Sequence, residues 1–204
     1  MSFLIFLKVF SVCLLGAISP GPSMVIVINN AIFKNRYHGF LTSLGHGIGI
    51  TIYALFAVLG IGLVLTTNMI LFNGLKILSI IFLFYLGVKS IFSKKNIDFK
   101  SKNIKGGATS FFQGLSISML NPKIFIWFIA IFSQFISVNN NLIFNIYLVI
   151  TAGIVDFSWY VLLTLVVTSG TSLRFIKNKS LIIQKIQGVL FILISLLLIL
   201  DVTR

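Results

Sequence analysis

The sequence predicts an all-α membrane protein with six transmembrane helices, arranged as two inverted repeats of three helices each. Three observations carry this prediction. Of the 204 residues, 58% are apolar and only 9% are charged, whereas a soluble domain is about 25% charged. The apolar residues fall into separate runs, and a helix that crosses the hydrocarbon needs about 20 of them. The connections between the runs alternate between basic and uncharged. A water-soluble globule is therefore excluded.

The apolar runs predict six spans. In chain order they are Phe3–Ala31, Gly39–Leu65, Met69–Phe92, Thr109–Ile136, Leu142–Ser169 and Leu181–Leu200. The alternating segments of about ten residues that typify an outer-membrane barrel are absent. Because only helices and closed barrels satisfy their backbone groups in lipid, helices remain. We expect the first span to be retained rather than cleaved, because it is too long for a signal peptide and only Lys8 precedes its apolar stretch.

The charges of the connections predict the orientation. The first, third and fifth connections carry Lys34, Arg36 and His38; Lys94, Lys95, Lys100, Lys102 and Lys105; and Arg174, Lys177 and Lys179. The second (66–68) and fourth (137–141) carry no charge. Basic connections stay cytoplasmic, so both termini are predicted outside. The net charge of +13 is then explained by topology and by attraction to the anionic lipid bilayer, and no nucleic-acid partner is expected.

Two repeats are predicted on either side of a basic cytoplasmic loop. Residues 1–92 hold the first three spans, 93–108 the loop and 109–204 the last three spans. All three prolines of the chain (Pro20, Pro22 and Pro122) lie near the middle of spans one and four. Because each unit has an odd number of spans, the two units face opposite ways across the membrane. Secondary transporters have this architecture, with the substrate site at the midplane beside broken helices.

Each proline predicts a break with unpaired backbone groups. A proline lacks an amide hydrogen and releases the carbonyl four residues earlier. The carbonyls released here are those of Gly16, Ile18 and Ser118. Gly21, between two prolines, lets the chain unwind, and the half-helix after Pro22 points its free amides and its positive dipole end into the break. A carboxylate fits there. The alternative is a packed proline kink whose carbonyls a neighbouring serine satisfies.

Asp156 is the most informative single residue. It is the only acid inside a span apart from the terminal Asp201, and intramembrane carboxylates usually serve ion or proton pathways. The alternative is a structural ion pair with Lys123. That lysine follows Pro122 in span four, where it could instead hold a substrate carboxylate or extend its amine to the surface.

Further polar and small residues are secondary candidates. His46 either relays protons or is a hydrogen-bonded interfacial histidine. Gly45 and Gly49 have the spacing that lets helices approach closely, which also permits a homodimer. Asn30 either lines a cavity at the inner end of span one or meets the headgroups. The large aromatic residues expected to pack or to form the interfacial belt are Trp127, Trp159 and Tyr160.

Enzyme motifs are absent from the sequence. It has no HExxH, CxxC or GxSxG, and Ser23 has no histidine in its own segment to activate it. A single cysteine, Cys13, excludes internal disulfides, and Asp156 and His46 are too few for a metal pathway. No enzyme, cofactor or metal is expected. Alternatives to a transporter of organic solutes are a non-transporting scaffold or assembly partner and an exporter of another small solute or ion.

The order and spacing of these motifs resemble the lysine exporter family, especially its homoserine/threonine-efflux branch. The segments that carry the resemblance are Pro20-Gly21-Pro22, Gly45 to Gly49, Leu120-Asn121-Pro122-Lys123 and Asp156-Phe157-Ser158-Trp159-Tyr160. The resemblance spans essentially the whole chain. It implies an inner-membrane exporter of amino acids or their derivatives, driven by the proton-motive force.

Site residues follow from the same resemblance. The residues that match the family's motifs are Pro20, Gly21, Pro22 and Ser23 in span one, Asn121, Pro122 and Lys123 in span four, and Asp156 in span five. The chain departs from the pattern in its many phenylalanines and few acids. With Asp156 as the one internal carboxylate, we expect a neutral substrate of the homoserine, threonine or leucine type rather than lysine.

Overall fold

The computed structural model describes residues 3–93, 107–137, 141–169 and 172–202, and these residues are helical apart from short connections. The helices are α1 (Phe3–Ile18), α2 (Pro22–Phe33), α3 (Arg36–Thr67), α4 (Met69–Ile91), α5 (Gly107–Leu120), α6 (Pro122–Phe132), α7 (Leu142–Val167) and α8 (Ser172–Val202). No strand occurs in these ranges. The all-α class is confirmed.

The first and fourth predicted spans are broken, as the prolines predict. The axes of α1 and α2 meet at 66°, and those of α5 and α6 at 56°. Within the described ranges, four helices are long and apolar enough to cross a membrane, and the number rises to six if each bent pair is one span. Each half of the chain therefore repeats one order of elements, a bent pair followed by two long helices.

Asparagine side chains start four of the helices. Asn35, Asn68, Asn121 and Asn141 each accept a hydrogen bond from an amide in the first turn of the following helix, over 2.8–3.1 Å. Such a cap satisfies one of the amides that a helix leaves without an intrahelical partner. Asn68 also ends α3 by donating its own amide to Val64 over 2.8 Å. One residue thus joins α3 to α4, where the sequence predicted a connection of three.

The basic connections differ from the prediction in length. Arg36 and His38 lie in the first turn of α3, so the first connection is short. The fifth was predicted as a loop, but its residues Arg174, Lys177 and Lys179 lie within α8. The third connection, with residues 94–105, lies outside the described residues. The predicted orientation of the termini and the boundaries of the repeats stay predictions.

Glycines set the closest helix contacts. A Cβ built on Gly45 would lie 2.0 Å from the carbonyl oxygen of Phe111, and one on Gly49 would lie 1.8 Å from Oγ of Ser118. These two glycines therefore belong to the interface between α3 and α5. On the opposite side of α3, Gly47 faces α7, where an added Cβ would lie 2.7 Å from Cβ of Phe157. The helix that carries His46 is thus held between α5 and α7, both from the second half of the chain.

The outer surface is apolar. Large side chains such as Ile70 (87% exposed), Leu120 (79%) and Ile143 (77%) lie on it, together with many other leucines, isoleucines and phenylalanines. Exposed apolar area on this scale marks a surface that does not face water. A lipid bilayer is the environment that stabilises it.

Candidate functional site

A polar cavity lies where the two breaks meet. Its volume is about 60 Å³, and it is open on one side. Its polar lining consists of Ser19, Gly21, Ser23, His46, Asn121, Lys123, Asp156 and Tyr160. Both bent pairs and the helices α3 and α7 contribute these residues. The cavity therefore brings together side chains from both halves of the sequence.

The two half-helices that start at the cavity are capped differently. In α6, the side chain of Asn121 accepts a hydrogen bond from the amide of Lys123 over 3.1 Å. In α2, Gly21 provides no side-chain cap, and the first backbone hydrogen bond is donated by Val25 to the Gly21 carbonyl over 3.2 Å. The amides of Ser23 and Met24 precede that bond. An uncapped helix N-terminus attracts an anion, so α2 offers the stronger position for a carboxylate.

Lys123 points its amine at the first break. The amine donates hydrogen bonds to Oγ of Ser19 and to the carbonyl of Pro20, the latter over 3.3 Å. It also lies 5.5 Å from the centre of the Phe191 ring. The expected alternatives of an ion pair with Asp156 and of an amine extended to the surface are therefore both wrong. A hydrogen-bonded cation in this position complements the uncapped α2 amides.

Asp156 is paired with His46. Nδ1 of His46 lies 2.6 Å from Oδ2 of Asp156, and the residues are 1% and 6% exposed. His46 is hydrogen-bonded, as expected, and it is among the most deeply buried side chains. Buried charges are stable only when they are paired and hydrogen-bonded.

Tyr160 and Ser23 connect the pair to the breaks. The Tyr160 ring packs edge-on against the His46 ring, with 4.7 Å between the ring centres. Nδ2 of Asn121 donates a hydrogen bond to Oγ of Ser23 over 3.4 Å, and Ser23 and Tyr160 line the same cavity. Tyr160 was expected to pack or to lie in the interfacial belt. It is buried as packing requires, but it also lines the cavity.

The remaining wall is apolar and was not predicted. Trp127 and Phe191 face each other with ring centres 5.2 Å apart. The Trp127 indole also covers Gly16, where an added Cβ would lie 2.7 Å from Nε1. Gln187 donates a hydrogen bond to Ser19 from the same side of the cavity. The sequence carries no signal that singles out Phe191 among its 21 phenylalanines, because the packing of α8, which lies mainly against α4, is decided by the tertiary structure.

Other predicted residues lie beside the cavity rather than on its wall. Pro20, Pro22 and Pro122 shape the breaks, while Gly45 and Gly49 pack against α5. One of the carbonyls expected to be free, that of Gly16, accepts the amide of Ser19 over 3.3 Å.

Asn30 lies in a separate hydrogen-bond cluster. Its Nδ2 donates to Oγ1 of Thr42 over 2.8 Å and to Oε1 of Gln113 over 2.7 Å. The residue is only 5% exposed. It neither lines the cavity nor meets the headgroups, so both expectations for it are wrong. Its bonds tie α2 to α3 and α5.

Fold and site together define a class: a polytopic helical membrane protein whose polar cavity lies between two broken helices, as in secondary transporters. The chain belongs to the LysE type translocator family, whose sequence profile matches residues 14–202. The resemblance to the lysine exporter family is thereby confirmed.

Two kinds of relative are similar to the chain. The uncharacterized membrane protein YrhP of Bacillus subtilis (strain 168) is 30% identical over 190 residues, which cover 86% of this chain and 89% of that protein. The leucine efflux proteins of Salmonella typhimurium and Salmonella typhi are each 28% identical over 121 residues, or 58% of this chain and 57% of those proteins. No solved structure matches the chain.

Proposed function

We propose that the protein exports neutral amino acids from the cytoplasm in exchange for protons. One observation carries the proposal: a single cavity holds an anion-binding end and an acidic end. The anion-binding end consists of the uncapped α2 amides and Lys123, and the acidic end is the pair of Asp156 with His46. An α-amino acid carries a carboxylate and an ammonium group, so its charges match the two ends.

The apolar wall favours an amino acid with an apolar side chain. Trp127, Phe128 and Phe191 line the cavity between its charged ends. Apolar side chains gain about 25 cal/mol for each Å² removed from water, and this wall provides no second carboxylate for a cationic side chain. The similarity to proteins named leucine efflux proteins supports the same substrate class.

The proton-motive force is sufficient for the exchange. One proton that returns through 100 mV supplies about 2.3 kcal/mol, and each tenfold gradient of a neutral solute costs about 1.4 kcal/mol. A one-for-one exchange therefore concentrates the substrate outside by more than tenfold before any pH gradient is counted. The pair of Asp156, the intramembrane carboxylate, with His46 binds the proton in this scheme.

In the proposed cycle the cavity alternates between an inward-open and an outward-open state. The cavity opens inward and takes the amino acid from the cytosol, and the two halves rock until it opens outward. Binding of an external proton then favours release and return. In this scheme the protein lies in the inner membrane with both termini outside, as the basic connections predict.

The direct test is an efflux assay in cells that lack their own amino-acid exporters. The cells are loaded with the dipeptides Ala-Leu, Ala-Thr and Ala-Lys, which intracellular peptidases cleave, and released amino acids are measured with and without a protonophore. We expect protein-dependent release of leucine that collapses with the protonophore, and less release of lysine. Release equal to that of empty-vector cells, with the protein demonstrably in the membrane, would favour a scaffold or another solute.

A further inference from the structure

One buried polar atom in the cavity has no partner. Nε2 of His46 forms no hydrogen bond within the described part of the chain, although the residue is 1% exposed and lines the cavity. The great majority of buried polar atoms in native proteins are hydrogen-bonded, and each exception needs an explanation. The other ring nitrogen is already engaged by Asp156. Because His46 lines the cavity, a ligand bound there is a candidate partner for Nε2.

Counting protons on the pair assigns a role to this atom. Nδ1 of His46 and Oδ2 of Asp156 are 2.6 Å apart, and at that separation one hydrogen lies between them. With that hydrogen alone, Nε2 carries a lone pair and accepts hydrogen bonds. If the pair takes up a second proton, Nε2 becomes an N–H donor, whether the shared hydrogen lies nearer the nitrogen or nearer the oxygen. One proton therefore reverses the hydrogen-bonding role of Nε2.

We propose that the exported amino acid and the proton compete for Nε2 of His46. When Nε2 is unprotonated, it accepts a hydrogen bond from the substrate's ammonium group. When Nε2 takes up a proton, that group is displaced. The inference rests on the proposed function and deepens it. An ammonium group has three donors and no acceptor, so it cannot bond to a protonated Nε2. Exchange of one proton for one amino acid follows from competition at one atom.

The neighbouring charged and titratable groups fit this arrangement. Tyr160 of α7 contacts the imidazole ring, with 4.7 Å between the ring centres. Cys13 of α1 and Lys123 of α6 line the same cavity, and the lysine amine is bonded to the first break. The described residues of α2 and α5 include no titratable side chain. The Lys123 amine is thus a hydrogen-bond donor for the substrate carboxylate, and the ammonium group is directed to the histidine.

Nitrogen NMR tests the proton site directly. The full chain is labelled with ¹⁵N-histidine in nanodiscs, and because it has only two histidines, His46→Gln assigns the signals. We expect Nδ1 of His46 to stay protonated while Nε2 titrates. Saturating L-leucine should move the Nε2 midpoint to lower pH, while 4-methylpentanoate, which lacks the ammonium group, should not. An Nε2 signal that stays protonated from pH 5 to 9, or that L-leucine, L-threonine and methylammonium all fail to move, overturns the proposal whether or not efflux is observed.

A binding experiment separates competition from a structural role. The apparent Kd of the wild-type protein for L-leucine should rise tenfold for each pH unit below the Nε2 midpoint. In His46→Gln the amide oxygen still accepts a hydrogen bond but takes up no proton, so the Kd should be independent of pH. Proton-driven efflux should be lost in the same variant.

The matched control is His38→Gln. The imidazole of His38 is hydrogen-bonded to Ser110 on α5 and does not line the cavity. This variant should keep the pH dependence of the wild type. A Kd that stays pH-dependent in His46→Gln, or loses its pH dependence in His38→Gln, contradicts the proposal. Failure of efflux with a normal Nε2 titration would instead count against the proposed function.

Discussion

Lys123 donates a hydrogen bond to Ser19, so a side chain from the second broken helix holds the break in the first. Gln187 of α8 donates to the same serine oxygen, and the Lys123 amine also bonds the carbonyl of Pro20 over 3.3 Å. A backbone carbonyl released by a break needs a partner at this depth. The break in the first half is therefore stabilised by residues more than 100 positions away.

Replacing Lys123 by Met should impair export strongly. The substitution removes the amine that bonds Ser19 and Pro20 and complements the anion-binding end. Loss of a charged hydrogen-bonding group is worth about 1.5–3 kcal/mol, which corresponds to roughly a 10- to 100-fold lower rate at about 1.4 kcal/mol per factor of ten. Initial rates of leucine efflux measure it. Lys185→Met, at an exposed position of α8, is the matched control, and equal rates for the two variants would contradict the role.

Replacing Asp156 by Asn should remove proton coupling without preventing insertion. Asparagine keeps the size of the side chain but carries no charge, so a buried positive charge on His46 loses its counter-ion. Protonophore-sensitive efflux should fall to the empty-vector level. Asp156→Glu retains the carboxylate and should retain a measurable sensitive fraction. Normal, protonophore-sensitive export by the Asn variant would show that the proton binds elsewhere.

Replacing Gly45 by Ala should destabilise the fold. The added Cβ would lie 2.0 Å from the carbonyl oxygen of Phe111, so α3 and α5 must separate. Overpacking of this kind costs about 1–3 kcal/mol, and the melting temperature of the detergent-solubilised protein measures the loss. Gly62→Ala lies on the same helix with no atom within 4 Å of its added Cβ. It should melt at the wild-type temperature or slightly above, because alanine favours helix. An unchanged melting temperature for Gly45→Ala would contradict the packing.

Replacing Phe191 by Leu should change which substrates are exported. Phe191 is 1% exposed and stands against Trp127 in the cavity wall, so a smaller side chain leaves room for a larger substrate. Size selection in an apolar pocket amounts to about 1–3 kcal/mol, so the ratio of phenylalanine to leucine efflux should rise about tenfold. Phe112→Leu, at an exposed position (59%), should leave the ratio unchanged. If both variants keep the wild-type ratio, Phe191 does not limit the substrate.

The positions of the helix breaks could be predicted from the local sequence. Proline cannot continue an α-helix without losing a hydrogen bond, and the breaks lie at Ser19-Pro20-Gly21 and at Asn121. Helix ends were less accurate. Thr66 and Thr67 are polar but remain in α3, where each hydroxyl bonds a carbonyl of the preceding turn, over 3.0 and 2.8 Å to Leu63. Polar residues that satisfy themselves in this way do not end a helix.

The partner of Asp156 could not be read from the sequence. Lys123 was the basic residue expected to pair with Asp156, but the bend between α5 and α6 directs its amine to Ser19. His46 reaches Asp156 because glycines on two faces of α3 let that helix pack closely between α5 and α7. Close approach of backbones is a property of the helix pair, and a spacing of small residues in one helix does not name the other helix.

Composition, the placement of the prolines and the single mid-span acid determined that this is a helical membrane protein with two broken helices and an acidic group in its interior. Those features are local: each depends on the cost of leaving one residue's backbone or charge unsatisfied in lipid. Tertiary structure decided which groups share the cavity, and that Asp156 faces His46 while Lys123 faces Ser19. Such pairings depend on how the two halves of the chain pack together, because a hydrogen bond forms only over about 3 Å between groups separated by 100 residues or more.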